Sequence, residues 1–348
     1  MTAHTVRIAI SGLGNLGRAF VQLISDKRTD LRKRYRLDLI LVAVVDSHGA
    51  AHDPGGLDPD LVLRTKDRTG TVGGYPQVGR VGMTSLDLVQ AVDADIWCEA
   101  TPVNLARGAE PAISCIRAAM ARGMHVVTPN KGPIVLFYQE LHSLAAENGV
   151  SLRFGGTVAG GLPALYIGRR DLRGARIDRI EAVPNLVTGF ILDLIGNGST
   201  WDEAIGLAKN EGVLEADPTW DLDGWDAAAK LVILANAVLE VPAHLEDVDR
   251  TGILGISPQD IHSEIERGRK LRLLATAIHS DSGYSLTVAP HALASDHPLG
   301  SLGSKEMGIT YYTDVYGTIT GIIKEETPLP SAATMLRDIL DITLGTTF

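Results

Sequence analysis

With 348 residues, 45% of them hydrophobic and 21% charged, the chain is long enough for two domains, or for one nucleotide-binding domain with a substantial second lobe, and its composition is that of a soluble protein. A net charge of −10 with no basic run argues against nucleic acid and against an anionic membrane surface as partners. No signal peptide precedes the first strand, no apolar run approaches membrane-spanning length, and Cys98 and Cys115 lie in apolar stretches as reduced core residues, so a cytoplasmic protein is expected.

Residues 6–17 read Val-Arg-Ile-Ala-Ile-Ser-Gly-Leu-Gly-Asn-Leu-Gly, a β-branched strand closing on a Gly-x-Gly-x-x-Gly turn, and a helical pattern follows at 18–24. A glycine triplet alone is weak evidence. Between a strand and a helix, within a dozen residues of the start, it is the pattern of a dinucleotide site. Gly12 permits the tight turn, Gly14 lets the backbone approach a pyrophosphate, and Gly17 lets helix and strand pack closely. The helix N-terminus, through Asn15 and Leu16, faces the phosphates. A second strand at 37–45 closes on Asp46, where an acid would hold a ribose 2′-hydroxyl, and no arginine follows directly. This favours NAD, with NADP left open; the other reading of Asp46 is a strand-end turn residue. The spacing from Gly17 is long, so 26–36 reads as an insertion. Residues 47–83, rich in Gly and Asp with weak periodicity, are assigned no site.

The alternation of strand and helix then resumes, with helix at 84–92, strand at 95–100, helix at 108–123, a short strand at 125–128, helix at 136–148 and strand at 151–154. In a parallel sheet ligands bind beyond the carboxyl ends of the strands. Thr101 and Pro102 follow one such end and Lys131, in Pro-Asn-Lys-Gly-Pro, follows the next. These residues are placed toward a cofactor's reactive end, although a turn lysine in water is an equal reading of Lys131. Four glycines between 155 and 161 mark the exit from this half. The expected fold is α/β, a Rossmann-type dinucleotide-binding domain at 1–155 completed by 325–348, with a second α+β domain at 156–324.

In that second half five carboxylates and a lysine fall within residues 215–230, in Glu-Ala-Asp-Pro-Thr-Trp-Asp-Leu-Asp-Gly-Trp-Asp-Ala-Ala-Ala-Lys, which runs into the apolar stretch 231–235. This reads as a loop feeding a buried helix. Asp226 and Lys230 stand four apart and share one face, the acid ahead of the base as the helix dipole prefers. A capped surface helix with a solvated pair is the plainer reading. The continuation Leu-Val-Ile-Leu-Ala-Asn-Ala-Val-Leu, apolar almost all round, instead places the first turn near the interior, where crowded acids need a cation and a substrate ammonium is one candidate. The remaining elements are expected as strands at 177–183, 271–278, 284–289, 309–313 and 318–324, and helices from about 187, at 200–212, 258–268 and 331–344.

Taken in order, the glycine turn, Pro-Asn-Lys, Val-Ala-Gly-Gly-Leu-Pro and the acidic block resemble homoserine dehydrogenase, and Gly252-Ile-Leu-Gly-Ile and Arg269-Lys-Leu-Arg-Leu add to the likeness. The resemblance is to short, catalytic-core members without a regulatory ACT domain. It implies NAD(P)-dependent interconversion of L-homoserine and L-aspartate 4-semialdehyde, on the route to threonine and methionine, by a homodimer. It further implies that Lys131 and Lys230 serve proton transfer and substrate positioning, that Glu215 and Asp221 hold the substrate, Glu215 at its ammonium, and that Asp226 orients Lys230. Removing a hydride from a primary alcohol requires its proton to leave as well, so a lysine acts as base only if it can shed its own near neutral pH; a nearby ammonium promotes that and an acid opposes it. The sequence leaves open which lysine is the base.

Three departures stand against the resemblance. Gly155 replaces an acid that helps the family bind a monovalent cation, which leaves a metal site in doubt. Asn185-Leu-Val-Thr-Gly-Phe replaces Asn-Gly-Thr-x-Asn, and Lys324-Glu-Glu-Thr-Pro-Leu-Pro replaces a glycine-rich segment. An oxidoreductase of another hydroxy acid or amino alcohol, and a non-catalytic NAD-binding sensor, are the alternatives.

Overall fold

A computed structural model describes residues 3–211, Leu214 and 218–345. The chain divides into two compact units, Met1–Gly161 with Thr327–Phe348, and Leu162–Glu326. The first contains β1 (His4–Ser11), α1 (Asn15–Tyr35), β2 (Leu37–Asp46), β3 (Gly49–His52), α2 (Pro59–Thr69), β4 (Gly79–Val81), α3 (Ser85–Ala91), β5 (Ile96–Glu99), α4 (Ala112–Ala121), β6 (His125–Val127), α5 (Lys131–Glu147) and β7 (Leu152–Arg153). These strands form a sheet in the order β4-β3-β2-β1-β5-β6-β7. β2, β1, β5, β6 and β7 are parallel, while β3 and β4 extend the sheet antiparallel at one edge. Covered by helices, the central strands carry nearly unbroken apolar runs, and Ile8, Ile10, Val42, Val44 and Val45 are all fully buried.

Two stretches of this unit are more regular than their sequence suggested. Residues 26–36, read as an insertion from the long spacing, are the later turns of α1, which ends in a left-handed C-cap at Arg36 (φ 54°). Lysine and arginine are good helix formers, Leu31 anchors the extra turns in the core, and Arg32 pairs with Asp38 at the start of β2. The stretch 47–83, weakly periodic in sequence, is regular over much of its length. It supplies β3, α2 and β4, with Asp58 capping α2 and Pro59 opening it.

The second unit contains α6 (Ala164–Tyr166), β8 (Ile177–Val183), α7 (Leu186–Gly196), α8 (Trp201–Asn210), α9 (Thr219–Leu222), α10 (Trp225–Ala237), β9 (Val248–Arg250), α11 (Pro258–Glu266), β10 (Arg269–Ser280), β11 (Gly283–Ala294), β12 (Glu306–Thr313) and β13 (Gly317–Lys324). Its sheet has the order β13-β12-β8-β10-β11-β9, antiparallel except where β9 joins β11. Helices α7, α10 and α11 pack on β10. Along α10 the buried residues are Asp226–Ala229 and 231–237, so an acid, the root of a lysine and Asn236 enter an otherwise apolar helix.

The last helix, α12 (Leu329–Thr343), returns to the first unit, where Ala332, Met335, Leu336 and Ile339 join the core cluster of Phe20, Ile24 and Leu31. Burying side chains such as Met335, Leu336 and Ile339 stabilises by roughly 1.5–3 kcal/mol each, which fixes α12 to the dinucleotide fold.

Candidate active site

In the first unit the glycine turn has the geometry its spacing implies. Gly12 has φ +97°, and a Cβ there would lie 2.5 Å from the Ala100 carbonyl carbon and 2.7 Å from Thr101 N. A Cβ on Gly17 would lie 2.0 Å from Gly12 O, whereas one on Gly14 would meet nothing within 4 Å. Gly12 and Gly17 are therefore required by close packing, and Gly14, exposed with Asn15 beside it, leaves the approach to α1 open. No side chain caps α1, and its first turn carries no acid, so the N–H groups at Asn15 and Leu16 have no competing anion from that turn.

Thr101, Pro102 and Lys131 are brought together by Asn130. Its Nδ2 donates to Thr101 O at 3.1 Å and to Pro102 O at 3.4 Å, and its Oδ1 accepts from Gly132 N at 3.0 Å, capping α5. Lys131 is therefore the first residue of a helix rather than part of a free turn, and it is half-buried. The residue that places it was not singled out in the sequence, although Asn at an N-cap with proline in the first turn is a readable signal.

Beneath this loop lies Glu99, fully buried at the carboxyl end of β5. It accepts from Thr101 N (3.1 Å), the Thr101 hydroxyl and Trp97 Nε1 (3.2 Å), and Thr128 Oγ1 donates to its backbone oxygen at 2.9 Å. Burial pushes its carboxyl up to about 6 against the pull of the Thr101, Trp97 and Ser11 donors. The native state thus keeps a proton that the unfolded chain releases from about pH 4.5, and Glu99's contribution to stability, full below that value, is lost as pH rises through about 6. Glu99→Gln, which cannot titrate, should gain on the parent by about 2 kcal/mol between about pH 4.5 and 8. Urea unfolding at both values measures this; an unchanged difference would contradict it.

The structure surrounds the Asp46 carboxylate with donors of this chain. Its Oδ1 accepts from His48 N, Gly49 N and Thr71 Oγ1, and its Oδ2 from Lys66 Nζ at 2.9 Å and Val72 N at 2.8 Å. The side chain is 3% exposed. A carboxylate has about four lone-pair sites, and five donors of this chain already share them. Burial opposes its charge, yet the donors from Lys66, His48, Val72 and Thr71 together hold the carboxyl below the usual range. Asp46 braces the turn after β2 and the loop after α2.

In the second unit, the sequence-predicted Asp221, Asp226 and Lys230 form one cluster. Lys230 Nζ donates to Asp226 Oδ2 at 2.7 Å and to Pro184 O at 2.7 Å, and the side chains are 14% and 7% exposed. Asn185 Nδ2 donates to Asp221 Oδ1 at 2.7 Å and Asp226 Oδ2 at 2.6 Å. The acidic segment is held by the stacked rings of Trp220 and Trp225 (5.7 Å), by Arg250 lying 3.8 Å over Trp225, and by the Arg250 bond to Asp223 O. Gly252, from the second resembling block, packs so closely that a Cβ would lie 2.4 Å from Leu222 O. Glu215, expected at the substrate ammonium, lies outside the described residues. Gly155, where the family has an acid, donates its N–H to the buried Asp338 Oδ2 at 2.9 Å.

A Rossmann-type unit with its glycine turn intact, joined to a second unit bearing a buried acid–lysine pair on a helix, defines the class of a two-unit dehydrogenase. A family model for homoserine dehydrogenase matches residues 163–340, and one for glutamate/leucine/phenylalanine/valine dehydrogenase matches residues 1–113. Homoserine dehydrogenase of Methanocaldococcus jannaschii is 34% identical over 96% of this chain and 98% of its own length. An NAD(+)-dependent homoserine dehydrogenase of Pseudomonas canavaninivorans is 33% identical over 97% and 96%. A solved hyperthermophilic archaeal homoserine dehydrogenase in complex with NADPH superposes with a TM-score of 0.86 at 29% identity, covering 99% of each chain. The chain belongs to the homoserine dehydrogenase family.

Proposed function

We propose that the chain catalyses the reversible nicotinamide-dependent oxidation of L-homoserine to L-aspartate 4-semialdehyde. The observation that carries this reading is the cluster in which Asn185 bridges Asp221 and Asp226 while Lys230 pairs with Asp226. Carboxylates gathered in one place suit the ammonium of an amino acid, and the family resemblance gives Glu215 the same task. Two of the three N–H groups of Lys230 are given to Asp226 and Pro184. The third is assigned to the substrate oxygen, where it stabilises the negative charge that grows as hydride leaves. Lys131 is assigned the proton exchange with the hydroxyl.

The residues of the first unit fit a dinucleotide at Gly12, Gly14, Asn15, Leu16 and Gly17, with Thr101 and Pro102 toward its nicotinamide end. When bound, that group supplies the hydride acceptor and donor. The names of the Pseudomonas relative and of the archaeal complex support a nicotinamide dinucleotide. We assign NAD as the preferred form, on a ground other than a ribose contact. Lys66 is engaged by Asp46 Oδ2 and, at 2.8 Å, by Gly70 O, and so is withheld from a 2′-phosphate. Asp46→Ala should release it and lower the ratio of kcat/KM for NAD over NADP about tenfold, equivalent to about 1.4 kcal/mol. Unchanged selectivity would end this assignment.

The assembly is assigned as a homodimer through the second unit. Ile278, Val315, Tyr316 and Ile322, exposed on or beside its strands, support that contact, and sedimentation equilibrium decides it. The function itself is tested by NAD and NADP reduction against a panel of hydroxy acids and amino alcohols. L-homoserine should be the best substrate. A rate with it no better than with unrelated alcohols would favour a relative acting on another substrate, and tight NAD binding without turnover would favour a sensor.

A further inference from the structure

We propose that Asn185 is a positioning residue for this reaction, its one side-chain amide holding Asp221 and Asp226 side by side and so fixing where Lys230 and the substrate ammonium come to rest; the proposal rests on the homoserine reading above. Both hydrogens of Nδ2 are used, one toward Asp221 Oδ1 at 2.7 Å and one toward Asp226 Oδ2 at 2.6 Å. The amide cannot be turned over, because Oδ1 would then face two carboxylates, whereas in place it accepts Thr188 N at 3.1 Å and caps α7. Asn185 is 5% exposed and Asp226 5%, so water does not substitute for these bonds cheaply. The oxygen of Asp226 that accepts from Asn185 also accepts from Lys230, which in turn reaches the carbonyl of Pro184. Residues 184 and 185 thus grip both members of the acid–lysine pair.

The residue type is informative. Two neighbouring carboxylates repel unless a donor bridges them. An arginine or lysine would bridge but would also cancel the negative charge that an amino-acid ammonium needs. A neutral amide joins the acids and leaves the charge in place. Asn185 thus carries two tasks in one side chain, a helix cap through oxygen and a carboxylate clamp through nitrogen, and the two can be separated by substitution.

Asn185→Asp keeps a capping oxygen for Thr188 N and replaces the donor with a third acid; Asn185→Ser keeps a cap and falls short of the carboxylates. Measured on the full chain with L-homoserine, both should raise KM and lower kcat by at least about tenfold each, with the NAD dissociation constant within about twofold of the parent. The Asp variant should recover part of its loss as pH falls toward about 5.5, where the added acid takes up a proton, and the Ser variant should not. A residue that merely caps α7 would leave KM, kcat and the pH profile of both variants at parent values, and that result overturns the proposal. Carbon-13 carboxyl titration of Asp226 reads the same contact without turnover. Its midpoint should rise in Asn185→Ser, which removes a donor to the charged form, and an unmoved midpoint contradicts the clamp. If the parent itself leaves L-homoserine unoxidised, the homoserine reading fails, and the titration alone decides whether Asn185 holds the acids.

Discussion

Lys230→Ala should lower kcat by about 10²–10³ while leaving NAD affinity within a few-fold of the parent. The magnitude is that of removing one donor aimed at a developing oxyanion. The separation of effects follows from position, since Lys230 bonds only to residues of the second unit in the contacts described, Asp226 and Pro184. Stopped-flow measurement of a single turnover at saturating substrate isolates the chemical step. A variant with near-parent turnover would show that this helix does not carry the chemistry.

Asp226→Ala should be costly in two ways. It removes the carboxylate that receives both Lys230 and Asn185, leaving two donors in a region from which water is largely excluded. Breaking a buried pair by deleting one partner costs about 3–5 kcal/mol. Lys230 keeps the Pro184 carbonyl and is 14% exposed, so the lower end, about 3 kcal/mol, is expected. That corresponds to roughly 6–12 °C in Tm for a unit of this size. Activity should fall about 10²-fold as Lys230 loses its orientation. Asp226→Asn, which keeps one acceptor oxygen, should recover most of the stability and little of the rate. Thermal unfolding and steady-state kinetics on the pair of variants separate the two losses, and equal recovery of both would argue that Asp226 is structural only.

What could be read directly from the residues was whatever short-range pattern determines. The apolar run after Lys230 indicated a helix buried nearly all round, and α10 is one. The strand expected at 177–183 is β8, and the glycine spacing placed the turn between β1 and α1. Each of these depends on neighbours within a turn or a pleat. What the residues did not show depends on partners that are distant along the chain. Asp46 was assigned from its position after β2, but its occupation comes from Lys66, Thr71 and Val72, more than 19 residues away. Residues 47–83 looked featureless because their regularity, a capped α2 and two edge strands, serves that carboxylate and the sheet edge.

Asn185 shows the same limit from the other side. Its segment drew notice as a departure from the family pattern, yet the bonds that give it weight run 36 and 41 residues forward, to Asp221 and Asp226. Glu99 carried a signal that could have been used, a lone acid in the otherwise apolar Ile-Trp-Cys-Glu of a central strand. A charge in such a place must have partners, and these are Thr101 and Trp97.

The most direct test follows the hydrogen itself. L-homoserine carrying two deuterium atoms on its alcohol carbon is mixed with the enzyme and NAD, and the reduced cofactor is examined by mass spectrometry. One deuterium per molecule of reduced cofactor, formed in step with L-aspartate 4-semialdehyde, is the predicted result. Unlabelled reduced cofactor, or no reduction at all, would contradict hydride transfer from this alcohol.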